Sequence, residues 1–335
     1  MSHLKKKIVV IGGGTGTYTI LRGLRHYTDT VDLTSIVTMA DSGGSTGRLR
    51  DEFGQLPVGD VRMALAALAT DVDSHAELVR ELFLYRFDKG EGLSGHTFGN
   101  LLLTALTDIM GSQAAAIETT GTLLKTCGRV IPVTTDNVHL KALYDDGVEV
   151  VGEHYIDVPP LSRADRRIVS LTLTPEARLS VAADTAVREA DVIIFGPGDL
   201  YTSILANCVT MGFREAAQAS AATTVYVANL MSRLGQTKGM HLRDYLSELE
   251  KYAGIVPQHV VCNATSFDAD LVARYTAEGN HPVSVEIEPY KGMQFHHHDL
   301  VATEAVTTSR GDSLPRSLIR HDSEKLAAVI MKLIQ

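Results

Sequence analysis

The chain has 335 residues, 44% of them apolar and 21% charged, a globular composition with ample core that excludes a disordered chain or a small scaffold needing staples. Thirty-one Lys and Arg against 40 Asp and Glu leave a net charge of −9, which excludes the broad basic surface that general nucleic-acid or anionic-membrane binding needs. Any phosphate must therefore be held locally.

The first apolar run, 7–11, follows Lys5-Lys6-Lys7 but stops at three glycines, too short for a signal peptide. No run approaches the roughly 20 apolar residues that span a bilayer. Cys127, Cys208 and Cys262 form neither a CxxC nor a zinc pattern, so a reduced, cytoplasmic setting is expected, with no membrane partner. Further apolar runs at 33–39, 129–134, 168–173, 192–195, 224–229, 260–263 and 283–287 alternate with helical patterns. Most are rich in Val and Ile and apolar on both faces, as buried parallel strands are. This rhythm predicts one α/β domain over 1–335 with a mostly parallel sheet. Two stretches interrupt it. Residues 60–127 lack strand signal and read as a helical insertion, and 138–156 alternate around Asp145-Asp146-Gly147, which predicts a projecting β-hairpin arm.

The first strand opens through Gly12-Gly13-Gly14-Thr15-Gly16-Thr17 into a helix, an arrangement that points backbone N–H groups and a positive dipole end at an anion. Thr17 stands where GxGxxG has its third glycine, so the loop fits either phosphate binding or a structural tight turn. The missing glycine also disfavours a nicotinamide-dependent oxidoreductase, and without GxxxxGK[ST] a P-loop enzyme is disfavoured. The second strand ends in a glycine loop from Asp41 through Arg48 to Arg50. Asp41 stands where a doubly wound fold places its ribose-binding acid, and Arg48 can neutralise phosphate with its planar guanidinium. The structural alternative is a turn-capping acid before a solvated helix face. Asp60 reads as the N-cap of the next helix. His96 has no evident Ser, Cys or carboxylate partner nearby in sequence, which favours a structural histidine.

Residues 191–203 repeat the strand, glycine turn and helix, with Gly196, Pro197, Gly198, Asp199, Thr202 and Ser203, and Asn229 ends the following strand. In a parallel sheet these turns line one crevice at the strands' carboxyl ends. His296-His297-His298-Asp299 reads as a solvated loop and not a metal site, because adjacent histidines fan apart. No HExxH, GxSxG or Cys/His pairing supports a zinc protease or a triad hydrolase.

In order along almost the whole chain, IGGGTGT, DSGGSTGRLRDEFGQLPVGDVR, GLSGHTFGNLLLTALT, GRVIPVTTDNV, GPGDLYTSI and LIRHDSEKLA resemble the YvcK family, the gluconeogenesis factors of the CofD-like superfamily. The resemblance implies a three-layer Rossmann-like fold whose crevice binds a UDP-sugar such as UDP-N-acetylglucosamine. It implies a regulator of carbon flow into cell-wall precursors and of cell shape, a homodimer, with no required cofactor or metal and an effector enzyme of amino-sugar synthesis as partner. The alternative is a CofD-type transferase that moves phospholactate or a similar phosphate-linked group from a nucleotide donor to an acceptor, with magnesium. Residue by residue, the resemblance puts Gly13, Gly14, Thr15, Gly16, Asp41, Gly43, Gly44, Ser45, Arg48, Asn100, Gly196, Pro197, Gly198 and Asn229 at the nucleotide. Tyr275 and Arg320 match a C-terminal tyrosine and arginine that hold the sugar nucleotide. It names no catalytic residue; Asp41 and Asp60 are the acids a transferase would use. Ser323 lies near a position phosphorylated in some members and is also expected to cap the last helix.

The chain departs from the family pattern in four places. Ala40 replaces the first acid of DDGGSSGRLR, which argues against a carboxylate pair for magnesium. Arg233 and Lys238 make basic a loop that is acidic in relatives. Asp199 replaces a common serine and puts a negative charge beside the expected phosphate site, unfavourable unless a cation compensates. The segment 296–298 looks like a local insertion.

Overall fold

The computed structural model describes residues 4–70, 74–285, 290–303 and 318–334. Its strands are β1 (Lys6–Gly12), β2 (Val31–Val37), β3 (Gly128–Pro132), β4 (His139–Tyr144), β5 (Glu149–Val151), β6 (Ile168–Thr174), β7 (Val192–Phe195), β8 (Thr223–Val227), β9 (His259–Asn263) and β10 (Gln294–His298). Between β1 and β3 come α1 (Gly14–Leu24), α2 (Gly44–Phe53), α3 (Gly59–Leu68), α4 (Ser74–Leu84), α5 (Phe98–Met110) and α6 (Gln113–Leu123). Then follow α7 (Glu153–Asp157), α8 (Val181–Arg188), a π-helical turn Leu200–Leu205 running into α9 (Ala206–Cys208), α10 (Phe213–Ala219), α11 (Leu242–Ala253), α12 (Ala269–Ala277) and α13 (Ser323–Ile334).

Seven strands form a parallel sheet in the order β10-β9-β8-β7-β1-β2-β3. Ile8, Val10, Ile193, Ile194, Val225, Val227, Val260 and Val261 are fully buried, so the central strands are covered on both faces. From β1 the chain steps outward through β2 and β3, then returns to β7 and proceeds the other way. The reversal lies between β1 and β7, and in doubly wound sheets a crevice opens outside the carboxyl ends of such a strand pair. Helix α3 belongs to the covering layer, since residues 61–69 are buried and it packs on α1 and β3. No helix among the described residues is long and apolar enough to cross a membrane.

Three local expectations are corrected. The run 168–173 is a strand, β6, but it pairs antiparallel with β4 in a second sheet of order β5-β4-β6. Ile168, Leu171 and Leu173 are buried while Val169 is 45% exposed, and burying one face suits a small antiparallel sheet. In the run 283–287, residues 283–285 are not strand and residues 286 and 287 lie outside those described. Val283 N donates to Leu230 O, and Ser284 O accepts from Leu242 N, so this backbone braces the loop after β8. The seventh strand is instead β10, the histidine run expected as a solvated loop. Its imidazoles alternate between faces, and His296 Nε2 lies 3.0 Å from His259 Nδ1 on the neighbouring strand, which suits a half-buried edge.

Candidate functional site

The β1–α1 turn is shaped by its glycines. Gly13 is extended and Gly14 is left-handed at φ 61°, a conformation other residues rarely adopt. A Cβ on Gly16 would stand 2.1 Å from the Pro197 carbonyl oxygen, so a side chain there would force the loops after β1 and β7 apart. Asn207 Nδ2 donates to Gly12 O at 3.1 Å and to Ser203 O at 2.7 Å, tying the end of β1 to the π-helical turn. Asn229 Nδ2 donates to Gly198 O at 2.7 Å and its Oδ1 accepts from the Tyr226 hydroxyl at 3.2 Å. The loops after β1, β7 and β8 are thereby locked along one rim.

Beyond that rim opens a crevice of about 720 Å³. It brings together Gly13, Gly14, Thr15, Gly16, Pro197, Gly198, Asn229, Tyr275, Arg320 and Ser323 from the sequence-derived set. Gly196 sits behind them at φ 78°, where a Cβ would meet Ile204 at 3.0 Å. On the far wall, the Tyr275 hydroxyl oxygen accepts from Leu318 N at 2.8 Å, and Ala302 N donates to Arg320 O at 3.0 Å. Tyr275 thus fastens the segment that carries Arg320. Tyr275→Phe is expected to free this segment and to weaken any ligand held there about three- to tenfold, the scale of one neutral hydrogen bond, while leaving the melting temperature nearly unchanged; calorimetry beside thermal melts checks both. Next to Arg320, buried His321 hydrogen-bonds the Ala228 backbone, and burial pushes its imidazole down to about 4, so it is neutral at pH 7.

Asp41, Gly43, Gly44, Ser45, Arg48 and Asn100 do not line this crevice and cluster instead around the start of α2. Gly43 N donates to Asp41 Oδ1 at 2.9 Å, and Asn100 Nδ2 donates to Ser45 Oγ at 3.1 Å. Ser45 Oγ also lies 3.0 Å from His96 Nδ1, a partner hidden in sequence because 51 positions separate the two. Burial and the Arg48 charge hold the His96 imidazole below its ordinary range, hence neutral. Arg48 Nη2 donates to the Ser94 carbonyl at 2.9 Å. Asp60 joins this cluster to the crevice. It is not the N-cap of α3, a position held by Val58; its Oδ1 accepts from Gly14 N at 2.8 Å, and the Asp41 carboxylate packs against Gly59. Ser323 is not the cap of α13 either, because Asp322 Oδ1 accepts from Glu324 N and Lys325 N at 3.0 and 2.9 Å.

Carboxyls crowd the junction. Burial, then the Asp41 charge, pushes Asp60 up to about 7; burial, then Asp41, Asp157 and Asp60, pushes Glu153 up to about 9. A carboxyl whose folded pKa is raised lets the folded state hold extra protons, so stability falls as pH climbs through the window between the two values, about 4.5 to 9 for Glu153. The melting temperature is expected to decline from pH 5 to pH 9. Glu153→Gln should flatten that slope and raise the melting temperature by roughly 3–6 °C at pH 8.

Asp41 Oδ1 and Asp60 Oδ1 each accept from a backbone N–H, Ala40 supplies no side-chain donor, and among the described residues no group of three His, Cys, Asp or Glu side chains that could hold a metal ion is found. The basic loop after β8 finds acids of its own. Arg233 Nη2 donates to Asp157 Oδ2 and Oδ1 at 2.9 and 3.1 Å, Gln236 Nε2 joins the same carboxylate at 3.1 Å, and Lys238 pairs with Asp165.

The family model of CofD, 2-phospho-L-lactate transferase, matches residues 8–301. A Thermotoga maritima protein that carries the gluconeogenesis-factor name is 39% identical over 327 residues, covering 98% of this chain and 99% of that one. The gluconeogenesis factor of Bacillus subtilis is 37% identical over 334 residues, covering 99% of each. The crystal structure of a UPF0052-family protein from Bacillus halodurans is similar with a TM-score of 0.86 at 34% identity, covering 98% of this chain and 99% of that one.

Proposed function

Because the chain belongs to the CofD family, and within it to the gluconeogenesis factors of the YvcK type, we propose that its crevice binds a UDP-sugar such as UDP-N-acetylglucosamine and that the protein acts as a regulator. The observation that carries this reading is the meeting of three glycine- and Asn-locked loop ends with Tyr275 and Arg320 across one crevice of about 720 Å³. That volume lies in the range that buries a drug-sized ligand. The N-terminus of α1, with its positive dipole end, suits the diphosphate, and Arg320 supplies a planar cation opposite. In this reading the bound sugar nucleotide reports carbon flow into cell-wall precursors and cell shape, through an effector enzyme of amino-sugar synthesis and as a homodimer.

A second reading, CofD-type transfer of a phosphate-linked group, draws support from Asp60, whose pKa of about 7 suits a general acid or base near neutrality. Calorimetric titration with UDP-N-acetylglucosamine, UDP-glucose, GDP and NAD, with chromatography of the ligand after hours of incubation, separates the two. The regulator binds UDP-sugars and returns them intact. Magnesium-dependent turnover abolished by Asp41→Asn would replace it with the transferase.

A further inference from the structure

The crevice poses an electrostatic problem. Asp199 follows Gly198 on the rim where a diphosphate would lie, and the charge of Asp157 acts on it. The dipole of α1 offers only about half a positive charge, and Arg320 stands on the far wall, so neither answers the carboxylate on the diphosphate's own side. Arg233 lines the same crevice and is placed to answer that charge. Only its Nη2 is engaged, in both bonds to Asp157; Nε and Nη1 have no partner among the described residues, and the side chain is 42% exposed. A guanidinium anchored at one nitrogen and open at two others is pre-oriented for phosphate oxygens. Burial holds the Asp199 carboxyl above its ordinary range, with Arg233 drawing it only partly back, and at Arg233 the Asp199 and Asp157 charges together outweigh burial and keep the guanidinium protonated.

Resting on the nucleotide-sugar reading of the crevice, we propose that Arg233 binds the ligand's diphosphate as a built-in counter-cation, so that this protein takes its ligand without a divalent metal. The basic character of the loop after β8 then has a defined purpose. Arg233 offsets Asp199 and supplies the positive charge that a divalent cation would otherwise have to bring to the phosphates. The ligand class follows: a nucleoside diphosphate or its sugar ester, bound as the free anion.

The test is calorimetry of UDP binding to the full chain, in EDTA and again in magnesium. Wild type is expected to bind equally in both. Arg233→Gln should lose roughly ten- to hundredfold in EDTA, the scale of a charged hydrogen bond, and recover most of it in magnesium. Adding Asp199→Asn to Arg233→Gln should restore binding in EDTA, a result that mere loosening of the loop would not give. Asp157→Asn, which cuts the anchor but spares the cation, should cost less than Arg233→Gln and serves as the control for loop damage. Wild-type binding that requires magnesium, or an Arg233→Gln affinity within twofold of wild type, overturns this inference and leaves the crevice reading standing. Absence of UDP binding under both conditions overturns both.

Discussion

Gly16→Val is expected to abolish nucleotide-sugar binding and to lower the melting temperature by roughly 5 °C or more. The atoms that a Cβ would strike are all backbone: the Pro197 carbonyl oxygen at 2.1 Å, its carbon at 2.5 Å and Gly198 N at 2.8 Å. No side chain can rotate away, so the loops after β1 and β7 must separate, and with them the rim. The neighbouring Gly14→Ala makes an informative contrast. A Cβ there meets nothing within 4 Å, but the backbone is left-handed. Its cost is therefore conformational, on the order of 1 kcal/mol. Thermal melts and calorimetry on the two variants should rank Gly16→Val as far the more damaging; equal effects would mean that the loops do not depend on direct contact.

Arg320→Ala is expected to weaken UDP-N-acetylglucosamine binding by on the order of 1–3 kcal/mol, roughly five- to hundredfold, the range for a hydrogen bond to a charged group. Arg320 lies on a segment fixed at several points: Tyr275 holds Leu318 N, Ala302 N holds Arg320 O, and Leu300 O accepts from Asp322 N. Those bonds are made by backbone atoms and by Tyr275, so loss of the guanidinium should leave the segment's backbone in place, which thermal melts of the unliganded variant check. An unchanged dissociation constant would remove Arg320 from the site.

What could be read from the sequence was whatever is encoded locally. The glycines of the β1–α1 turn announce a backbone that must be left-handed at Gly14 and uncluttered at Gly16, and Gly196 and Gly198 do the same after β7. The rule that parallel strands gather their carboxyl-end loops then put these turns, with Asn229, on one rim. Contacts made across long separations were hidden. Asp60 reaches Gly14 over 46 positions, Ser45 meets His96 over 51, and Arg233 meets Asp157 over 76. Local logic therefore made Asp60 and Ser323 helix caps, when a backbone N–H on another element claims the first and Asp322 pre-empts the second. The direction of β6 was illegible for a related reason: the run looks apolar, but burial of one face is set by the neighbouring strands and not by its own composition. For β10, imidazoles that suggest solvent can line a half-buried edge once His259 lies opposite.

The claim that the rim of the β1, β7 and β8 loops holds the ligand is tested most directly by amide hydrogen exchange on the full chain, with and without saturating UDP-N-acetylglucosamine. Binding at this rim should slow exchange at Gly13 to Thr19, at Gly198 to Ser203, at Leu230 to Arg233 and at Leu318 to His321, with little change in β4, β5 and α8. Protection absent from the glycine loops, or concentrated away from this crevice, would contradict it.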